Sequence, residues 1–579
     1  ANQPAILEDW IPPPDWGVGA HAKHLRNLYV YFWRWAAWKV FERGSGAPEE
    51  TLSGMVCFIT VAGFLNGPGF QKMRAELRRE CDEIWVIDCS PEGHQPAVST
   101  RIFQGVQHPV CIVLASRSAV VNVAKPARVQ FRSLERGPRE GKFAELTSIG
   151  LAEGWTNCPS EWRAPFLPEF SGQWRDFVSL DDLFEYSCPG VMPGRVWVVA
   201  PDQWSLKRRW HDLVTAQEPE WKEKLFHPQL RSGQVASRHI RKFVNEHLGA
   251  HRTRELAIIS DSGPLAPLVR YGFRSFDRQW LPADARLIND PRPRLWASHS
   301  DRQIFITALM AHSPSNGPAI TFTALIPDQH HYKGSFGGRV FSLWADAAAT
   351  KPNLPDGLLG RLRRLYGSDV SAEDLMAYVA AVAAHPAYTA RFQADLIRPG
   401  LRIPLTAEAN LFFEAAELGR EVIWLHTFGE RFVDPAEGRP VGPPRMANGP
   451  TIPKDGAIPS DAARMPDEID YDAAARRLKV GAGFVDNVPP GAWAYEVSGK
   501  QVLRQWFSYR KRNRERPIIG DRRKPSPLGD IQPDHWLPEY TTELLNVLHV
   551  LGRLVELEPK QANLLDRICT GPTIPAAKL

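Results

Sequence analysis

Between Met55 and Cys89 the chain reads MVCFITVAGFLNGPGFQKMRAELRRECDEIWVIDC. The apolar run 55–62 predicts a strand. Phe70, Met73 and Leu77 recur at helical spacing, which predicts an amphipathic helix over 69–80. The apolar run 83–89, with Asp88 near its end, predicts a second strand, and VCIVLASR at 110–117 a third. Upstream, HLRNLYVYFWRWAAWKVFE predicts a helix whose apolar stripe is Tyr31, Trp35 and Trp38. A basic, proline-dotted linker follows the third strand at 124–142, and residues 150–195 predict loops with short helices. VWVVA at 196–200 predicts a strand, and the stretch 202–217 a helix. Residues 268–345 alternate short β runs with turns, and 355–420 predict helices, most clearly in DLMAYVAAVAA. EVIWLHTF at 421–428 predicts the start of an extended, proline-rich stretch. TTELLNVLHVLGRLVELEPKQANLLDRI at 541–568 predicts a helical hairpin.

Composition narrows the class. The chain has 579 residues, of which 43% are hydrophobic, so sizeable globular cores are available. No run of apolar residues is long enough to predict a membrane span. The N-terminal stretch lacks a basic region followed by an apolar one, so a secretory leader is not expected. Seven cysteines, an odd and widely spaced set without a CxxC pair, predict reduced thiols and a cytoplasmic protein rather than disulfides or zinc. The net charge of +5 is mild, so the distribution of charge matters more than its sum.

The glycine-rich turn at 63–69 raises a nucleotide-binding reading. A dinucleotide fingerprint needs a third glycine for helix–strand packing, and Lys72 stands there. Pro68 also removes a backbone N–H that would face phosphate. A strand-to-helix turn within a larger α/β sheet is therefore the expectation.

FITVAGFLNGPGFQKMRAELRRECDEIWVIDC, followed by RIFQGVQHPVCIVLASR, resembles the second half of the catalytic domain of adenine-N6 DNA methyltransferases. In that family a strand ends in a Phe-Leu turn and a helix opens on G-F-x-x-(L/M)-R-x-x-L. A second strand, a loop with an aromatic and a closing hairpin follow. Here these are Phe64 and Leu65, Gly69 and Phe70, and Phe103. The resemblance implies that Phe103 lies beside an extruded adenine, which must leave the stack to be methylated. The blocks at 270–296, 331–344, 377–392, 424–432 and 495–512 resemble the C-terminal half of type ISP restriction–modification enzymes. The family's donor motif (x-F-x-G-x-G) and its Asn/Asp-Pro-Pro-aromatic catalytic motif do not occur here. ERGSG at 42–46, WIPPPDW at 10–16 and DNVPPGAW at 486–493 fail as substitutes by context or by an inserted residue. The resemblance thus implies S-adenosylmethionine as donor, bound mainly by residues outside this chain. It also implies no catalytic residue within the chain, and a partner chain or upstream segment that completes the methylase fold.

Duplex recognition needs phosphate contacts for register and base contacts for specificity. Residues 499–524 hold ten Lys or Arg against two acids, interleaved with Trp506, Phe507 and Tyr509. The phosphate candidates are Arg510, Lys511, Arg512, Arg514, Arg522, Arg523 and Lys524, with Lys333 and Arg339 in the glycine-rich loop 330–341. A second basic cluster comprises Lys207, Arg208, Arg209, Arg238, Arg241 and Lys242. Asp328, His330 and His331 do not have the spacing of a metal site, and Ser335 lacks a nucleophile elbow. Arg274, Asp277 and Arg278 predict an internal Arg–Asp network.

The expected fold class is α/β: a partial, Rossmann-like methyltransferase sheet followed by mixed α+β target-recognition domains. The expected boundaries are 1–125 for the methylase part, 126–195 for a linker with short helices, 196–465 for a target-recognition region with a helical insertion at 355–420, and 466–579 for a C-terminal specificity subdomain. The function this predicts is recognition of double-stranded DNA. The alternative is a non-catalytic DNA-binding or scaffold subunit of a defence complex.

Overall fold

The computed structural model describes all residues except 1–6, 17–23, 43–52, 93–99, 107, 119–121, 151, 170–171, 227–237, 310–311, 335–336, 398–399, 513–526 and 530. The chain divides into two units, Ala1–Arg175 and Asp176–Leu579.

The first unit is built on a five-stranded sheet of order β1-β3-β2-β4-β5. Its strands are β1 (Gly54–Val61), β2 (Glu83–Asp88), β3 (Val110–Arg117), β4 (Arg128–Ser133) and β5 (Thr156–Asn157). Helix α2 (Gln71–Glu80) links β1 to β2, and β3 returns antiparallel to both and lies between them. The strands and helix read from the apolar pattern at 55–117 are therefore present. The expected linker beginning at 126 is corrected in part: β4 pairs parallel with β2, and α3 (Arg139–Ser148) follows it. Val129 and Phe131 alternate with polar neighbours, and their burial pulls the segment into the sheet.

The two faces of this sheet differ. Val56, Ile84, Val86, Val113 and Ala115 are buried on one face. On the other, Cys57, Leu114 and Trp85 lie in register across three strands, as do Ile59, Ile112 and Ile87. Leu146 and Ile149 pack beside Ile87 and Ile112, but the β1 end is open: Met55 is 59% and Ile59 49% exposed. Helix α1 (Leu28–Phe41) buries Val30, Trp33, Ala37 and Phe41, with Trp33 edge-on to Phe58 at 5.0 Å. The expected stripe is thus displaced. Tyr31 and Trp35, with Leu28 and Phe32, point to solvent.

The second unit carries several small sheets and a helical layer. A four-stranded sheet joins Thr321–Thr323, Phe305–Leu309, Gly338–Ser342 and Ser187–Pro189. A three-stranded sheet pairs Ile326–Pro327 with the hairpin Leu268–Arg274 and Asp277–Pro282. A third sheet spans Ile469–Val485. The helix Ala372–Ala383 opens on a capping box of Ser371 and Asp374. It crosses the helix Ala409–His426 so closely that a Cβ on Gly419 would overlap the Ala377 carbonyl.

Three local expectations are corrected here. Residues 196–198 form a single 3₁₀ turn, with Ala200 bridging Trp280. EVIWLH is the last part of the helix Ala409–His426, because the buried Val422, Ile423 and Leu425 pack at helical spacing. The expected C-terminal hairpin is one helix, Pro538–Thr570. Pro559 lies on its exposed side, while Leu554, Leu557, Gln561 and Leu564 continue one buried face past it. A single missing N–H does not outweigh that packing. The overall class is mixed α/β with several small sheets.

Candidate nucleic-acid interface

In the first unit the glycine-rich turn is internally satisfied. The N–H groups of Leu65, Gly67 and Phe70 donate to Ala62, Gly63 and Gly67 at 3.0–3.1 Å. Arg74 takes the carbonyls of Phe64 and Gly67, both at 2.9 Å. A Cβ on Gly67 would lie 2.7 Å from the Gly63 carbonyl, so close backbone approach explains the glycine. These three N–H groups are therefore not free to cradle a phosphate.

The loop between β2 and β3 is anchored from below. Ser90 N–H donates to Asp88 at 2.9 Å, and Ser90 Oγ accepts from Val110 N–H at 3.0 Å. Burial pushes the Asp88 carboxyl up to about 6. Lys142 is 1% exposed, and its ammonium donates to the Cys89 carbonyl at 3.0 Å, the Thr100 carbonyl at 2.9 Å and Glu92 at 2.6 Å. Phe103 stands beyond this anchor with 44% of its surface exposed, at the first corner of a turn whose Gly105 has φ +76°.

In the second unit the predicted basic residues separate by burial. Arg510 is 1% exposed. It pairs with Asp277 at 2.7 Å, donates to the Trp506 carbonyl at 3.0 Å and lies 3.9 Å over the Trp506 ring. It is a buried clamp and not a phosphate contact. Trp506, Phe507 and Tyr509 are buried too; Tyr509 meets Phe273 edge-on at 4.8 Å. Lys333 is corrected likewise. It is 4% exposed, and burial, then Lys500, push its ammonium down to about 8. Arg339 is half-buried, paired with Asp181 at 2.8 Å and Ser187 at 2.8 Å. Lys511 is half-buried and Arg512 is exposed. Arg514, Arg522, Arg523 and Lys524 lie outside the described residues, as does Ser335.

The second cluster splits in the same way. Arg209 is buried on the carbonyls of Trp197 and Val199, at 3.0 and 3.1 Å. Arg208 pairs with Asp534 at 2.6 Å and lies 4.6 Å over the exposed Trp204. Arg238 and Arg241 pair with Glu246 and Glu223, and Lys207 and Lys242 are exposed. The network expected at 274–278 is present: Arg274 holds Asp328 at 2.8 Å, Asp277 holds Arg510, and Arg278 holds Glu543 at 2.9 Å.

Asp328 is fully engaged, accepting from Tyr271 at 2.8 Å, Arg274 and the His330 N–H at 2.8 Å. His330 Nδ1 accepts from Gly337 N–H, whereas His331 Nδ1 meets Thr307 Oγ1 at 3.0 Å. The adjacent rings therefore serve different turns. Among the described residues, no three His, Cys, Asp or Glu side chains converge on a metal position. No helix among them is long and apolar enough to cross a membrane.

This arrangement is similar to known DNA-bound enzymes. The ATP-dependent Type ISP restriction–modification enzyme LlaBIII bound to DNA aligns with a TM-score of 0.62 and 15% identity, over 97% of this chain and 35% of that one. The DrdV–DNA complex aligns with a TM-score of 0.61 and 16% identity, over 95% of this chain and 52% of that one. A nuclease-deletion mutant of the Type ISP enzyme LlaGI with a DNA substrate mimic gives 0.59 and 16%, over 93% and 40%. The chain thus spans about half or less of the length of each. No curated protein matches it. The sequence pattern of the Type ISP C-terminal specificity domain matches residues 182–547, more than half of the chain and most of its second unit, and the chain belongs to that family.

Proposed function

We propose that the chain recognises double-stranded DNA as the C-terminal portion of an adenine-N6 DNA methyltransferase of restriction–modification or phage-defence type. The family match over 182–547 carries the recognition half of this reading. The methylase half is supported by the order of the first unit: strand, turn, helix, strand, aromatic loop and returning strand, as the resemblance implies. Its open β1 edge and the exposed stripe Leu28, Tyr31, Phe32 and Trp35 suit a partner segment that extends and covers the sheet. S-adenosylmethionine is the donor in this reading. The donor motif does not occur in this chain, so in this reading a partner segment holds it.

Arg512, Lys511 and Arg339, with Arg514, Arg522, Arg523 and Lys524, are the proposed phosphate contacts, and Phe103 faces the extruded adenine. The test is binding of duplex DNA by the full chain across a salt series, beside calorimetry with S-adenosylmethionine. Salt-dependent duplex binding without micromolar donor binding is expected. Absence of duplex binding at low salt overturns the recognition reading. Micromolar donor binding overturns the assignment of the donor site to a partner.

A further inference from the structure

Helix α3 does two things at once. Its buried side places the Lys142 ammonium between Cys89, Glu92 and Thr100. Its outer side carries Arg139 and Phe143, one helical turn apart. Arg139 Nε donates to the Ile102 carbonyl at 2.8 Å, next to Phe103, and its guanidinium carbon lies 4.9 Å over the Phe143 ring. Phe143 is 40% exposed and Phe103 44%. Arg139 thus ties the exposed Phe143 ring to the backbone that precedes the exposed Phe103. Both phenylalanines leave a large part of their ring surface in solvent. Held in place beside a cation, they match what a base needs: a flat apolar face and a positive edge near its phosphate. Glu92, an acid near that surface, is occupied by Lys142 and by the Gly137 N–H at 3.0 Å.

We propose that α3 and the Phe103 turn form a platform for an unpaired nucleobase. Phe103 and Phe143 supply the stacking faces, Arg139 the cation, and Lys142 is the positioning residue beneath. The proposal rests on the reading of Phe103 given above and widens it to a second aromatic and its cation. Lys142 touches no base; it fixes the chain that leads into the turn by holding Cys89, Glu92 and Thr100, all on the N-terminal side of Phe103.

The experiment uses the full chain and two duplexes, one fully paired and one carrying a single unpaired 2-aminopurine. Anisotropy reports affinity, and 2-aminopurine quenching reports stacking. Wild type binds the bulged duplex more tightly and quenches its signal. Phe103→Ala and Phe143→Ala each weaken bulged-duplex binding by about tenfold and restore fluorescence, with paired-duplex binding unchanged. Arg139→Gln weakens it in the same direction. Lys142→Met weakens it too, and amides 100–106 then exchange at least about tenfold faster while those of β1 keep their protection. Phe143 is exposed, so its variant separates the site from folding. Unchanged quenching in both Phe143→Ala and Arg139→Gln overturns the platform. If Phe103→Ala alone acts, the platform fails and the earlier reading of Phe103 stands. If neither phenylalanine acts while paired duplex still binds, both fail.

Discussion

The two units handle apolar surface in opposite ways. The second gathers Trp197, Trp210, Phe226, Tyr271, Trp296 and Tyr509 into one buried cluster, and it encloses charged pairs such as Arg510–Asp277 as well. The first covers one face of its sheet and leaves Met55, Cys57 and Ile59 open on an edge strand, with a second apolar row on α1. An isolated domain has no use for such a face, whereas a surface awaiting another chain segment does. The contrast is between a unit that encloses most of its apolar residues and one that leaves an apolar strand edge and helix side exposed.

The largest test of it concerns the buried pair Arg510–Asp277, both side chains 1% exposed. Arg510→Ala leaves the Asp277 carboxylate buried without its ion partner, and should cost about 3–5 kcal/mol. Replacing both by apolar residues of similar size should cost far less. The exposed pair Arg567–Glu414, with side chains 47% and 52% exposed, is the control, and Arg567→Ala should cost far less than Arg510→Ala because solvent screens the pair. Urea unfolding, followed by hydrogen exchange within the second unit, ranks the three. Equal losses for the buried and exposed pairs would mean that the second unit's interior is wetter than its geometry shows.

Mild acid should act with opposite signs at individual buried groups. Burial holds His331 and His426 in the second unit down at about 3, well below a free histidine. The unfolded chain then binds more protons than the native one, so stability falls as pH drops from roughly 6.5 toward 3. Asp88 in the first unit is the reverse case. Its folded value of about 6 lies above that of a free carboxyl. Its contribution is fully present below about pH 4 and is lost as pH rises through 6. Between pH 6 and 4, hydrogen exchange corrected for intrinsic rate should show protection falling around His331 and His426 and rising around Asp88. His331→Gln and His426→Gln should flatten the first trend, and Asp88→Asn the second.

The open face gives a smaller effect. Ile59→Lys should change stability by less than about 0.5 kcal/mol, as exposed substitutions do. Val113→Ala, on the covered face of the neighbouring strand, should cost a larger share, on the order of 1–2 kcal/mol. Light scattering should show less self-association for Ile59→Lys and Trp35→Glu. A loss for Ile59→Lys as large as that for Val113→Ala would mean that the face is not open.

What could be read from residue order depended on range. The strands 54–61, 83–88 and 110–117 and the helix between them announce themselves by local periodicity, and the structure contains them. The helix through Val422 and Ile423 did not, because its β-branched residues favour strands and only its packing on Ala372–Ala383 makes it helical. The exposed side of α1 was misread because aromatics ordinarily face inward, and nothing local shows that Trp35 has no core to join. The basic run failed for a related reason. Arg510 looks like its neighbours Lys511 and Arg512, yet its partner Asp277 lies 233 positions away. Burial decides which arginine of a cluster reaches solvent, and burial is a property of the fold. Lys142 was not singled out at all: a lone lysine in a basic stretch carries no sign that it will meet two carbonyls and a carboxylate.

The smallest effect tests that distinction on DNA. Neutralising one phosphate contact lowers the slope of log K against log salt by about 0.9 for duplex DNA, whatever the base sequence. Arg512 is exposed, its backbone N–H donates to the Pro466 carbonyl at 2.8 Å, and its guanidinium donates to the Ala463 carbonyl at 3.1 Å. A carbonyl is no counter-ion, and as a proposed phosphate contact Arg512→Ala should lower the slope by about one unit. Lys333 differs in burial rather than in charge. At 4% exposure it cannot replace a counterion on a phosphate without the loop first opening. Lys333→Met should leave the slope unchanged and relieve the desolvation that already depresses its ammonium. Equal slope changes for the two would show that the loop opens on DNA and would restore Lys333 to the phosphate contacts. No change for either would move the contacts to other basic residues of the chain.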